Sequence, residues 1–376
     1  MKINFQKIDI VSAMSIVDSI IPLHSPKPVY RNVLMTPIGS DSVELTGIDE
    51  ENGMSIKIAV SSKNSNAKEK FAIDSKLFNQ HIMNSPSDFI EMERQQDDDT
   101  DRLIVKDGES TVVFLAANAD EYIEIMDVDE DKGITLESGT MTRLIRQTLF
   151  ATAKEERSYA INGVFIKIEK SQIELVATDG HRLAVSRGEI KNDAAIDYGS
   201  VFPVKMLTEI NKICGTVNSE DDVSIVIKDN FVCFKAGSTR LICNSIKGSF
   251  PSYRNVIPTS TSRQLTINRE IFSRLLKRAS VMVSEETRTV TLDINKNELV
   301  ITSRSSGKGE GQYKTAVEYS EKDGMRIAFT PQYLLDVLRV LDSDDLLIKM
   351  NSPEKPVLIR SEEHTSALQS RQVISY

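Results

Sequence analysis

The 376 residues hold 55 Asp and Glu against 46 Lys and Arg, a net charge of −9, and the length fits roughly two to three domains. No apolar run approaches the ~18 residues a membrane span needs, and the N-terminal one is broken by Lys7, Asp9 and Asp18, so no targeting or membrane segment is expected and the protein is expected to be cytoplasmic. Cys214, Cys233 and Cys243 form an odd set without a CxxC pair, which suits reduced structural thiols.

In chain order, Ile3-Asn4-Phe5 is a short alternating strand running into an amphipathic helix whose Ile10, Ala13 and Met14 share one face. A second strand-to-helix unit opens at Ala72 to Leu77. Ile134-Thr135-Leu136 restarts the first unit, with Met141, Leu144 and Ile145 at the same offsets, and Val201 to Met206 restarts the second. Leu265-Thr266-Ile267, followed by Phe272, Leu275 and Leu276, and then Ala328 to Tyr333 restart both again. The starts at 3, 134 and 265 are 131 residues apart, a period that marks domains and not solenoid repeats.

Between the helices, runs such as Ser42 to Thr46, Gln172 to Val176 and Asn297 to Ile301 have the period of half-buried antiparallel strands. Lys106-Asp107-Gly108 and Lys228-Asp229-Asn230 read as hairpin turns. The expected fold is α+β, with three tandem domains at 1–127, 128–258 and 259–376, each two helices backed by antiparallel sheet.

The net charge argues at first against a nucleic-acid partner, but its distribution argues otherwise. The predicted helices hold eleven basic residues, Lys7, Lys76, Arg143, Arg146, Lys205, Lys212, Arg269, Arg274, Lys277, Arg278 and Arg339, against five acidic ones, leaving the rest of the chain strongly negative. Helices on one side of the molecule would make one basic surface on an otherwise repelling body. Lys and Arg also simply favour solvated helix faces.

Catalytic patterns are thin. The four histidines, His24, His81, His181 and His364, lack zinc-ligand spacing. Gly307-Lys308-Gly309-Glu310-Gly311 lies between strands and reads as a hairpin loop, not a phosphate cradle, and Asp97-Asp98-Asp99-Thr100-Asp101 reads as a solvated turn without the glycine of a calcium loop. No cofactor or metal is expected. A Mg²⁺-dependent DNA-processing enzyme and a protein-binding repeat scaffold stay open as alternatives.

Leu175 to Val185, containing Thr178-Asp179-Gly180-His181-Arg182, resembles the most recognisable signature of the bacterial sliding clamp family, the beta subunit of DNA polymerase III. Gly248 to Pro258 is similar to that family's second signature and Tyr333 to Leu338 to its last helix, so the resemblance covers residues 1 to about 360. It implies a non-catalytic, ring-shaped homodimer, each subunit half of the ring. Helices would face duplex DNA, without sequence preference, through Lys7, Lys76, Arg143, Arg146, Lys205, Lys212, Arg274, Lys277 and Arg278.

It further implies partners in the DNA polymerase III catalytic subunit, a clamp loader and other proteins with a clamp-binding motif, and no membrane. These dock a peptide, usually a Gln and following hydrophobics, in a pocket carried over to Ile161, Thr178, Gly180, His181, Arg182, Leu183, Pro251, Asn255, Val256 and Pro356. Asn255 stands where the family commonly has Arg. Subunits would join through Val112 and Phe114 of one and Val281 and Met282 of the other. Family members normally close on a short apolar strand; here Arg360 to Ser370 resembles a translated sequencing adapter, and residues after about 360 are expected to pack poorly, although Gln372 to Tyr376 could mimic the lost strand.

Overall fold

A computed structural model describes the chain apart from residues 1, 40, 65–69, 97–100, 123–132, 154–160, 193–196, 229–230, 247, 285, 287, 362–370 and 375–376. The first third runs β1 (Lys2–Gln6), α1 (Lys7–Val17), β2 (Asn32–Ile38), β3 (Ser42–Ile48), β4 (Gly53–Ala59), β5 (Ser62–Asn64), β6 (Phe71–Asp74), α2 (Ser75–Asn84), β7 (Phe89–Gln96), β8 (Asp101–Asp107) and β9 (Ser110–Leu115). The middle third runs β10 (Ile134–Glu137), α3 (Ser138–Arg146), β11 (Gly163–Glu169), β12 (Gln172–Thr178), β13 (Arg182–Glu189), β14 (Asp197–Pro203), α4 (Val204–Cys214), β15 (Asp222–Lys228), β16 (Phe231–Ala236) and β17 (Thr239–Asn244). The last runs β18 (Arg263–Asn268), α5 (Arg269–Ser280), β19 (Val290–Asn295), β20 (Glu298–Ser305), β21 (Gly309–Ala316), β22 (Glu318–Tyr319), β23 (Met325–Phe329), α6 (Pro331–Val340), β24 (Asp345–Met350), β25 (Val357–Ser361) and β26 (Arg371–Ile374).

Each predicted strand-to-helix junction is present, and local chemistry sets it. Asp74 caps α2 by accepting from the Leu77 amide at 2.9 Å, Asn268 caps α5 by accepting from the Ile271 amide at 3.2 Å, and Pro331 opens α6. The nine residues expected on the inner helix faces, Ile10, Ala13, Met14, Met141, Leu144, Ile145, Phe272, Leu275 and Leu276, are all buried. Gly307 to Gly311 lies at the β20–β21 hairpin and Gly108 takes a left-handed φ of 65° between β8 and β9. Asp97 to Thr100 and Asp229-Asn230 lie outside the described residues.

The chain forms two compact units, residues 1–139 with 209–245 and residues 140–208 with 246–376. In the first, one sheet has the order β5-β1-β7-β8-β9 and another the order β10-β15-β16-β17-β4-β3-β2-β6. The second unit holds a nine-stranded sheet, β14-β11-β12-β13-β26-β25-β24-β18-β22, and a four-stranded one, β21-β20-β19-β23. Spatial units and sequence repeats thus divide the chain differently. The reason is backbone pairing across the repeats: β17 on β4, with Leu241 opposite Met54, and β26 between β13 and β25.

That last pairing gives β25 the partner strand that the sequence reading allowed for from Gln372 onward, while residues 362–370 and 375–376 lie outside the described residues. The Arg371–Ile374 backbone is in register with both neighbours, Val373 lying opposite Leu183 on one side and Leu358 on the other. The gap between β13 and β25 offers unpaired amides and carbonyls to both sides, which any extended segment can satisfy.

Candidate functional site

The Thr178–Arg182 turn is fixed by its own polar groups. The Asp179 carboxylate accepts from the His181 amide at 2.9 Å and the Arg182 amide at 3.0 Å, while Thr178 Oγ1 donates to the Arg182 carbonyl at 2.7 Å. Gly180, at a φ of 89°, supplies the left-handed corner. The turn leaves His181 exposed, its ring stacked at 6.4 Å on Tyr333 of α6.

Arg182 is only 8 % exposed. Its guanidinium donates to Asp179 at 3.0 Å, to Asp336 at 2.7 Å and to the Phe150 carbonyl at 2.7 Å, and lies 5.2 and 4.6 Å from the Phe150 and Tyr333 ring centres. A guanidinium held by two carboxylates, a carbonyl and two rings acts as a structural brace for the turn. Burial, and then Asp179, raise the pKa of Tyr333.

Beyond the turn, Val176, Leu183, Val185, Tyr253 and Leu358 form one apolar cluster, with Phe165, Phe250 and Ile257 packed against it. Phe165 and Phe250 stack at 5.1 Å. The parity of the sheet explains this face: Phe165, Val176 and Val185 are cross-strand partners, and residues two apart lie on the same side. Of the expected pocket residues the structure brings Leu183 into this cluster, with Pro251, Asn255 and Val256 exposed on the Tyr253 turn; Ile161, Thr178 and Pro356 are half-buried in the same unit. Phe165, Phe250, Tyr253 and Leu358 belong to the same cluster without having been named from the sequence, although the alternation of β11 and β12 carried the signal for Phe165.

The helix cations divide into two sets. Arg143 donates to Gln147 at 3.3 Å, Ser186 at 3.4 Å and the Arg187 carbonyl at 3.0 Å, and burial lowers its pKa. α3 crosses β13 so closely that a Cβ at Gly188 would meet Thr140 Cγ2 at 2.7 Å, and Arg143, half-buried, is drawn into that crossing. Arg146 pairs with Asp342 at 2.7 Å, Lys212 with Glu209 at 2.9 Å, Lys7 donates to the Ser85 carbonyl at 2.5 Å, and Arg278 lies 5.0 Å from the Tyr313 ring centre. Arg146, Lys212 and Arg278 are nonetheless exposed, as are Lys76, Lys205, Arg274 and Lys277, whereas Arg143 and Lys7 are half-buried.

The edge strand β9 divides its side chains between the core and solvent. Val112 and Phe114 lie opposite Val105 and Leu103, two core residues, and Phe114 packs on Phe78 at 5.9 Å and His81 at 5.7 Å. The outward side chains are Val113 and Leu115, 53 % and 72 % exposed. Val281, at the end of α5, is 68 % exposed, and Met282 is half-buried. Among the described residues no helix is long and apolar enough to cross a membrane, and no group of three potential metal ligands occurs.

The sequence matches, in order, the family models of the DNA polymerase III beta subunit: the N-terminal domain over residues 1–126, the central domain over 135–252 and the C-terminal domain over 254–373. It is 27 % identical over 379 residues to the beta sliding clamp of Bacillus subtilis, covering 98 % of each chain, and 27 % identical over 375 residues to that of Synechocystis, covering 95 % of each. The crystal structure of the Bacillus subtilis DNA polymerase sliding clamp is similar with a TM-score of 0.90 at 25 % identity, covering 100 % of this chain and 98 % of that one. A Pseudomonas aeruginosa DnaN sliding clamp bound to griselimycin is similar in fold, with a TM-score of 0.91 at 21 % identity and the same coverage.

Proposed function

The chain belongs to the DNA polymerase III beta subunit family, the bacterial sliding clamps, and we propose accordingly that two copies close head to tail around duplex DNA in the cytoplasm. As a clamp it is a processivity factor and not a catalyst. A closed ring tethers by topology, so it needs weak, sequence-blind phosphate contacts that let it slide. Exposed Lys76, Lys205, Arg274 and Lys277 suit that role better than Arg143.

The observation that carries the dimer is the pair of sheet edges. β9 and β21 each end a sheet, and β9 presents Val113 and Leu115 outward. An exposed apolar edge strand invites pairing, and joining two unlike edges by a two-fold operation closes both. The three clamp domains at 1–127, 128–258 and 259–376 then repeat in each subunit.

The cluster around Leu183, Phe165 and Phe250 is the docking groove for the hydrophobic part of a partner peptide, with His181, Pro251, Val256 and Pro356 at its margin. The DNA polymerase III catalytic subunit, a clamp loader and other motif-bearing proteins are the partners this reading names. Retention on nicked circular DNA after loading, and release when the circle is linearised, tests it. Equal retention on linear DNA would overturn the ring.

A further inference from the structure

The face that carries the apolar cluster does not stop at Phe165. One step along the sheet, Lys167, Glu174 and Arg187 form the next cross-strand row on the same side, and Glu169, Gln172 and Glu189 the row after that. The first of these rows floors a cavity of about 360 Å³, lined by Lys167, Lys170, Gln172, Glu174, Arg187 and Arg254 among others. Tyr253 joins the two regions: its ring packs on Phe165 and Phe250, and its hydroxyl donates to Glu174.

Resting on the docking reading above, we infer that this cavity is a second subsite of the same groove and takes the carboxylate of an acidic residue flanking a docked peptide's hydrophobics. The charges decide the sign. Glu174, 6 % exposed, is already held by the Tyr253 hydroxyl and Arg187, with Arg254 at 3.8 Å, and Glu169 is held by Lys167. Four cations, Lys167, Lys170, Arg187 and Arg254, thus surround two carboxylates, Glu169 and Glu174, and the outermost cations, Lys170 and Arg254, are exposed at the rim. An incoming carboxylate completes that balance, whereas an ammonium would add to the excess.

Distance fits a peptide. Phe165 and Lys167 are two residues apart on β11, about 6.6 Å at ~3.3 Å per residue, which is the span of two residues of an extended chain lying along the groove. Lys170 holds its place at a left-handed φ of 56° in the turn between β11 and β12, where asparagine is the low-strain choice. The variant Lys170→Asn therefore removes the charge without straining the turn, and Arg254→Gln does so at an exposed position.

The test is fluorescence anisotropy on the full chain with three labelled peptides: a core of Gln followed by Leu and Phe, the same core with two Glu added at either end, and the same core with two Lys. At low salt the acidic extension at one end should tighten binding by about 3- to 10-fold, as expected for one or two exposed ion pairs. The gain should vanish in Lys170→Asn/Arg254→Gln, with the core peptide's affinity unchanged. Binding of the core without a gain from either acidic extension, or an equal gain from lysines, overturns the subsite and leaves the docking groove standing. Failure of all three peptides to bind overturns the groove and the subsite together.

Discussion

Arg182 Nη1 lies 2.7 Å from Asp336 Oδ2, joining the turn after β12 to α6 through a pair of which neither side chain is more than 15 % exposed. Such a pair contributes little against an apolar substitute but leaves a stranded charge when one member is removed. Asp336→Ala should cost about 2–4 kcal/mol, somewhat below the usual cost of stranding a buried charge, because Asp179 and the Phe150 carbonyl still hold the guanidinium. Urea unfolding measures it, and a loss under about 0.5 kcal/mol would show that the brace is not structural.

Alkaline pH probes the Tyr253 hydroxyl, whose pKa is pushed up to about 12 by burial first and by its hydrogen bond to Glu174 second. A folded-state pKa above the unfolded value of ~10 means the contribution is complete below pH 10 and is lost as pH rises from 10 through 12. Wild-type stability should fall in that window by up to roughly 2–3 kcal/mol more than that of Tyr253→Phe. Parallel curves for the two proteins would place the ionisation elsewhere.

The proposed subunit closure runs through side chains that point away from the core. Leu115→Asp combined with Val281→Asp should give monomers by light scattering at micromolar concentration, because each residue is exposed in the single chain and would be buried by pairing. Charging Phe114 instead should reduce stability, since it packs on Phe78 and His81. A dimer that survives the Leu115 and Val281 changes would move the interface away from these edges.

For DNA, Arg274→Ala with Lys277→Ala should weaken loading and reduce the salt slope by roughly one unit for each phosphate no longer neutralised, with no change in sequence preference. Arg143→Ala should behave differently, lowering stability while leaving the salt slope unchanged, because its guanidinium is tied to Gln147, Ser186 and Arg187. Identical salt responses in the two variants would contradict that division.

Much of the architecture was legible because it is local and repeated. A 131-residue period, helix faces such as Ile10, Ala13 and Met14, and caps such as Asp74 and Asn268 follow from side-chain spacing and short-range hydrogen bonding. The turn at Thr178 to Leu183 was legible for the same reason, since it is built almost wholly from its own residues.

Residue order alone therefore specifies the α+β repeat, membership in the clamp family and the Thr178–Arg182 turn. Which member of an alternating pair looks outward is settled instead by the assembled sheet, because β9 takes its parity from Leu103 and Val105 across the ladder, which turns Phe114 in and Leu115 out. Assembly also settles which cations remain exposed, since Arg143 and Arg182 are drawn inward by carbonyls and carboxylates from distant segments. Pairings between residues far apart in sequence depend on register and approach, and these are set by how strands and helices meet rather than by the composition of any one of them.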